Sequence, residues 1–243
     1  MIAHLENVTK QRDMGAGYRL HIRRFSVQEG ESIAITGPSG CGKSTTLDLL
    51  GMVLRPDEAG TFVFSFDGKE ADVAGLWSRG RTDALTDLRR RHLGYVLQTG
   101  GLFPFLTVEE NVKLTALAAG MEPAQAAKRA DALMERLGIA RLRRAEPASL
   151  SIGERQRAAI ARALAPQPRL LLADEPTAAL DPGLSRTVMK LFLDVVRESG
   201  SSVVMVSHDV SLVHEFAFRE VPVVVRSEGD HLSAFLDDQA GGR

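Results

Sequence analysis

Three groups of residues in this 243-residue chain have the types and spacing to act on phosphate. The run Gly37, Pro38, Ser39, Gly40, Cys41, Gly42, Lys43, Ser44 fits the pattern G-x-x-x-x-G-K-[ST]. Its glycines let backbone N–H groups curl inward around phosphate oxygens. The helix start beyond them adds a partial positive charge, and Lys43 adds a full one. Ser44 can place its hydroxyl on a Mg²⁺ ion, and Thr45 completes the phosphate-lining set. Cys41 reads as a small tolerated residue whose alkylation should block nucleotide entry. A second group is Asp174-Glu175, directly after the apolar Leu170 to Ala173. Adjacent residues at a strand end point to different sides. Asp174 is therefore expected to hold Mg²⁺ at the β- and γ-phosphates, and Glu175 to orient or deprotonate an attacking water. Taken alone, an Asp-Glu pair is also an ordinary strand exit. The third is His208, at the end of Ser202 to Ser207, placed to contact a γ-phosphate, although a lone histidine is more often structural.

The surrounding sequence predicts how these residues are positioned. Ser32 to Thr36 is short, β-branched and apolar, the glycine run breaks it, and Lys43 to Leu50 resumes with helical spacing. That is strand, loop, helix. The segments ending at Asp174 and His208 are further buried-strand candidates, and polar groups beyond strand ends are where open parallel sheets bind ligands. Phe62, Phe64 and Phe66 alternate before an Asp67-Gly68 turn, which predicts a small antiparallel portion. Residues 107–165 have little strand character, a Thr107-x-x-Glu110 capping box, and Pro123, Gly138 and Pro147 as punctuation. The expectation is one α/β domain, mostly parallel, with core segments 1–106 and 166–243 and a helical subdomain at 107–165.

Composition narrows the function classes. Hydrophobic residues make up 44% and charged residues 25%, enough for a real core. Lys plus Arg number 30 against 31 Asp plus Glu, so no net field draws the molecule onto nucleic acid, and no nucleic-acid partner is expected. No apolar run approaches the roughly 20 residues that cross a bilayer, and Met1 to Lys10 carries charges where a signal peptide needs an apolar stretch. A cytoplasmic chain is expected. The single cysteine excludes an internal disulfide and a cysteine-cluster metal site.

Leu150-Ser151-Ile152-Gly153-Glu154-Arg155-Gln156-Arg157 resembles the signature motif of the ABC ATPases, a P-loop NTPase family. The resemblance spans nearly the whole chain in family order: phosphate loop, Gln98, signature, Asp174-Glu175, Ala179-Leu180-Asp181, then His208. It implies ATP and Mg²⁺ as cofactors. It also implies a homodimer, or a heterodimer with a second ABC ATPase, in which Ser151 and Gly153 of one chain bind the γ-phosphate held by the other. Gln98 would touch the metal and the attacking water, and Asp181 would lie at the dimer seam. Leu102 to Leu106 would line a groove for a short helix of a membrane permease, or else pack as ordinary core. Ser151-x-x-Glu154 is in addition a helix cap in its own right.

Two departures stand out. Ile152 replaces the usual glycine and is tolerable if it points away from nucleotide, and Glu154 replaces the usual glutamine. The latter is a variation associated with lipoprotein-release and macrolide-efflux ATPases, as is Leu172 to Thr177. The sequence Thr177 to Asp181 departs from those types. Tyr18 is the candidate for stacking on adenine, unless it packs along its own strand.

The resemblance implies the motor subunit of a transporter, at the cytoplasmic face of the membrane. An ABC protein of repair or chromosome maintenance would carry coiled coils or zinc inserts between loop and signature, and one of translation would carry two cassettes. A regulatory ATPase acting on a membrane protein without transport would use the same motor.

Overall fold

Alternating apolar residues set the first strands. Ala3 and Leu5, then Leu20 and Ile22, and Phe25 and Val27, are buried two apart, as period-two patterning on a half-buried sheet requires; the alternation slips by one residue at Asn7, which has φ 52°, and opposite it at Arg23. The computed structural model describes residues 1–12, 18–228 and 231–238. In chain order the elements are β1 (Ala3–Arg12), β2 (Tyr18–Val27), β3 (Ser32–Thr36), α1 (Lys43–Leu50), β4 (Glu58–Phe66), β5 (Lys69–Asp72), α2 (Val73–Ser78), α3 (Thr82–His92), β6 (Leu93–Val96), α4 (Val108–Ala118), α5 (Pro123–Arg136), α6 (Ile152–Leu164), β7 (Leu170–Asp174), α7 (Pro182–Ser199), β8 (Ser202–Val206), α8 (Val210–Glu215), β9 (Arg219–Glu228) and β10 (His231–Asp237).

The chain divides into two compact units, Met1–Asp87 with Val204–Arg243, and Leu88–Val203. In the first, the strands run β5-β4-β1-β2-β10-β9-β3. Neighbours β5/β4, β4/β1, β1/β2 and β10/β9 are antiparallel, while β2/β10 and β9/β3 are parallel. The antiparallel part is thus larger than the one hairpin expected from the sequence. That hairpin is β4–β5, turned by Asp67 and Gly68 at φ 52° and 75°, the pair of left-handed residues that a two-residue hairpin turn demands. Phe62, Phe64 and Phe66 stack along its buried face, ring centroids 5.8 and 5.2 Å apart.

In the second unit β6 and β7 pair in parallel from Leu93↔Leu170 to Val96↔Ala173. Leu170, Leu171, Leu172 and Ala173 are fully buried, the continuous apolar run of a strand covered on both faces. Helices α4, α5 and α6 occupy the segment expected to be helical, and they share their unit with β6, β7 and α7. Strand β8 lies at the division of the chain. Its Ser202 N–H donates to the Arg169 carbonyl, and the N–H of Ser207, just beyond it, donates to the Ile35 carbonyl.

Candidate functional site

In the first unit, β3 delivers the phosphate loop to α1. Gly37, Gly40 and Gly42 have φ 145°, 76° and 92°, conformations that residues with a Cβ avoid. Gly42 is the N-cap of α1 and leaves it with no side-chain cap. The first-turn N–H groups of a helix have no intrahelical acceptor, and here no N-cap side chain competes for them. Lys43 is buried, with Nζ donating to the carbonyls of Gly37 at 2.8 Å and Pro38 at 2.9 Å, which ties its charge to the loop. Pro38, Ser39, Gly40 and Ser44 are exposed, whereas Thr45 is buried.

Cys41 is only 2% exposed. Burial pushes its thiol above the ordinary value, against the opposing charge of Lys43. The expected alkylation must therefore wait for the loop to open. Tyr18 also departs from expectation: it is 7% exposed and its hydroxyl donates to the Cys41 carbonyl at 2.6 Å. A ring enclosed to that degree has no open face for a base, so adenine stacking is not the role this geometry supports.

His208 is exposed just after β8. The next residue, Asp209, caps α8 by accepting from the Leu212 N–H, and its own N–H donates to Ser207 Oγ. Hydrogen bonds from Ser211 and Leu212 hold the Asp209 carboxyl below the usual range. The histidine thus stands on a backbone fixed from both sides.

In the second unit Asp174 ends β7, half-buried, and Glu175 follows at φ 45°. A left-handed glutamate is uncommon, and such conformations cluster where a side chain must be aimed. The turn is closed by the Ala178 N–H on the Glu175 carbonyl.

Gln98 is exposed, two residues past β6, in a loop that turns at Gly100 and Gly101. Buried Asn111 on α4 accepts from the Phe103 N–H and donates to the carbonyls of Phe103, Leu106 and Thr107. Arg162 on α6 donates to the Gly101 carbonyl and lies over the Phe103 ring, 5.1 Å from its centroid. Phe105 is 74% exposed beside exposed Phe103 and Leu97, which removes plain core packing as the account of 102–106. Sequence reasoning missed Asn111 and Arg162, because nothing in their local spacing marks them. Behind this loop, a Cβ added to Gly94 of β6 would sit 2.3 Å from the Ala163 carbonyl of α6.

Ser151 begins α6 with a complete capping box. Its hydroxyl accepts from the Glu154 N–H and donates to the Glu154 carboxylate, which also accepts from the Ser151 N–H. These bonds, with Arg141 paired to the same carboxylate, hold Glu154 below the ordinary carboxylate range. Gly153 is buried against Leu184 of α7, and Ile152 is 57% exposed. Asp181 caps α7, accepting from the N–H groups of Gly183 and Leu184.

A strand, a left-handed glycine loop and an uncapped helix behind an enclosed lysine define a P-loop NTPase. The model of the ABC transporter family matches residues 20–178, and the chain belongs to that family. The lipoprotein-releasing system ATP-binding protein LolD of Maricaulis maris is 42% identical over 213 residues, 87% of this chain and 86% of that one. The macrolide export ATP-binding/permease protein MacB of Bordetella avium is 40% identical over 188 residues, 77% of this chain but 27% of that much longer one. Among solved structures, the dimeric structure of MJ0796, a bacterial ABC transporter cassette, superposes with a TM-score of 0.76 at 32% identity, covering 98% of this chain and 95% of the other. The same cassette in a post-hydrolysis state bound to ADP and Pi gives 0.74 at 33% identity, with the same coverage.

Proposed function

We infer that the chain is the ATP-hydrolysing motor subunit of an ABC transporter, coupling ATP-driven closure of a dimer to a separate membrane permease. The observation that carries this is the phosphate loop, whose left-handed glycines and uncapped α1 stand with Lys43 in a chain of this family. The 42% identical relative is named as the ATP-binding protein of a releasing system, and in the MacB relative ATP-binding and permease parts form one protein. Among the described residues no helix is long and apolar enough to cross a membrane, and this reading assigns the membrane-spanning part to a separate permease. The chain would then sit at the cytoplasmic face through that partner.

The roles divide by residue. Lys43 and the backbone N–H groups of residues 40–45 hold the β- and γ-phosphates. Glu175 orients and accepts a proton from the attacking water, and His208 contacts the γ-phosphate. Ser151 and Gly153 reach the γ-phosphate held by the second chain of the dimer, and Asp181 lies at its seam. Among the described residues no three His, Cys, Asp or Glu side chains gather as a metal cage. Mg²⁺ keeps several waters and takes one or two protein oxygens beside substrate phosphates. Ser44, Asp174 and Gln98 offer such hard oxygen donors, and the ion would neutralise charge on the phosphates.

Two measurements test this reading. Replacing Glu175 with Gln should slow phosphate release about 10²- to 10⁴-fold, leave ATP binding intact, and let an ATP-bound dimer accumulate on size-exclusion chromatography. Rapid turnover by that variant removes Glu175 from the mechanism. Co-purification of the chain from detergent-solubilised membranes should recover a polytopic membrane protein in stoichiometric amount, whereas soluble partners alone would point to an ABC ATPase outside transport.

A further inference from the structure

The nucleotide chemistry gives no task to Tyr18, an enclosed side chain with a polar tip. Tyr18 is the first residue of β2, paired with Arg12 of β1 on one side and with Leu232 of β10 on the other. It therefore stands on a backbone held by both neighbouring strands. Its hydroxyl reaches the phosphate loop from behind, donating to the Cys41 carbonyl at 2.6 Å.

We propose that Tyr18 is a positioning residue for phosphate binding, fixing the Cys41–Gly42 peptide plane so that the Gly42 N–H points into the concave side of the loop before any phosphate arrives. In a trans peptide the C=O and the following N–H point in opposite directions within one rigid plane. Holding the carbonyl on the Tyr18 side therefore aims the amide the other way. The next plane is fixed independently, because the Gly42 carbonyl accepts from the Thr46 N–H at 2.9 Å and from Thr46 Oγ1 at 3.1 Å. Space points the same way: a Cβ on Gly42 would lie 2.1 Å from the Tyr18 hydroxyl oxygen and 3.1 Å from Cζ. The hydroxyl thus fills the volume that only glycine leaves open. Burial also pushes the phenol well above its ordinary value, which favours the protonated form that donates.

The inference rests on the phosphate-loop reading, and the experiment separates the two. On the full chain, displacement of a fluorescent ATP analogue would be followed for ATP and for inorganic tripolyphosphate, which has no base. Tyr18→Phe keeps the ring and removes the hydrogen bond. It should weaken both ligands by the same factor, about three- to ten-fold, and speed amide exchange in a peptide covering 40–44. Unchanged affinity and exchange in the folded variant would overturn the proposal. So would a loss confined to ATP, the pattern of a ring that stacks on the base. Lys43→Ala should weaken both ligands far more than Tyr18→Phe does, on the order of a hundred-fold; if it binds them normally, the phosphate-loop reading itself fails, whatever Tyr18 does.

Should Tyr18→Phe fold poorly, 3-fluorotyrosine in place of the two tyrosines gives a conservative probe. The Tyr18 fluorine resonance, identified as the one retained in Tyr95→Phe, should shift on adding tripolyphosphate alone. A resonance that stays in place at saturating tripolyphosphate would likewise overturn the proposal.

Discussion

The starts of α1 and α6 are two answers to the same problem, the unpaired N–H groups of a first helical turn. Helix α1 follows a left-handed glycine and has no side-chain cap. Helix α6 spends its donors internally, in a reciprocal bond between Ser151 and Glu154 that also places a carboxylate at the helix start. The first is the terminus to which the proposed function assigns the bound phosphates. The second becomes an anion site only when the Ser151 hydroxyl turns from Glu154 to a phosphate, and Arg141, paired to that carboxylate, offsets the charge an incoming phosphate would meet. In the proposed function one terminus holds a phosphate and the other answers one.

Removing the charge at α1 should have the largest effect. Lys43→Ala is expected to weaken ATP binding on the order of a hundred-fold, the scale of lost charge-assisted bonds, measured by titration with a fluorescent ATP analogue. A smaller loss would mean that the amides of α1 carry the site without the lysine. At α6 the expected effect is mixed. Ser151→Ala and Thr107→Ala each remove the serine or threonine of a complete capping box, and each should lower stability by about 1 kcal/mol in urea unfolding. Only Ser151→Ala should also lower ATPase turnover of the dimer. If both variants hydrolyse ATP alike, the start of α6 is a cap and nothing more.

The smallest effect concerns pH. Glu154 is held below the ordinary carboxylate range by bonds from Ser151, with Arg141 adding to them. A depressed carboxyl contributes stability that is present above its unfolded value, about 4.3, and lost as pH falls through the lower folded value. Glu154→Gln keeps a capping side chain and removes the titration. Thermal melting of wild type should therefore fall more steeply than that of Glu154→Gln as pH drops below about 4.3. Parallel curves would show that the cap works without its charge.

Much of α1 and its loop was legible because the message is local: glycines, lysine and serine lie within a few residues, and the strand and helix around them have clear periods. The caps on α4 and α6 were legible for the same reason. The size of the antiparallel sheet was less so. Residues 3–12 and 18–27 alternate well enough to suggest strands, but the pairing of β2 with β10 joins residues far apart in the chain. Glu175 shows another limit. The role proposed for it follows from its place after a buried strand, whereas its left-handed φ of 45° belongs to the turn and has no sequence mark in a glutamate. Tyr18 looked like a base-stacking ring from its type and position, and its enclosure against Cys41 depends on three-dimensional packing alone.

Gly94 has a mechanical consequence. The β6 backbone approaches the Ala163 carbonyl so closely that no side chain fits between them at that point, and Arg162, the neighbouring residue on α6, grips Gly101 in the loop that β6 feeds. Strand, loop and helix are therefore joined at both ends of a short lever with little play. A force on the exposed Phe103–Phe105 edge would therefore reach the last turn of α6, where Arg162 and Ala163 lie.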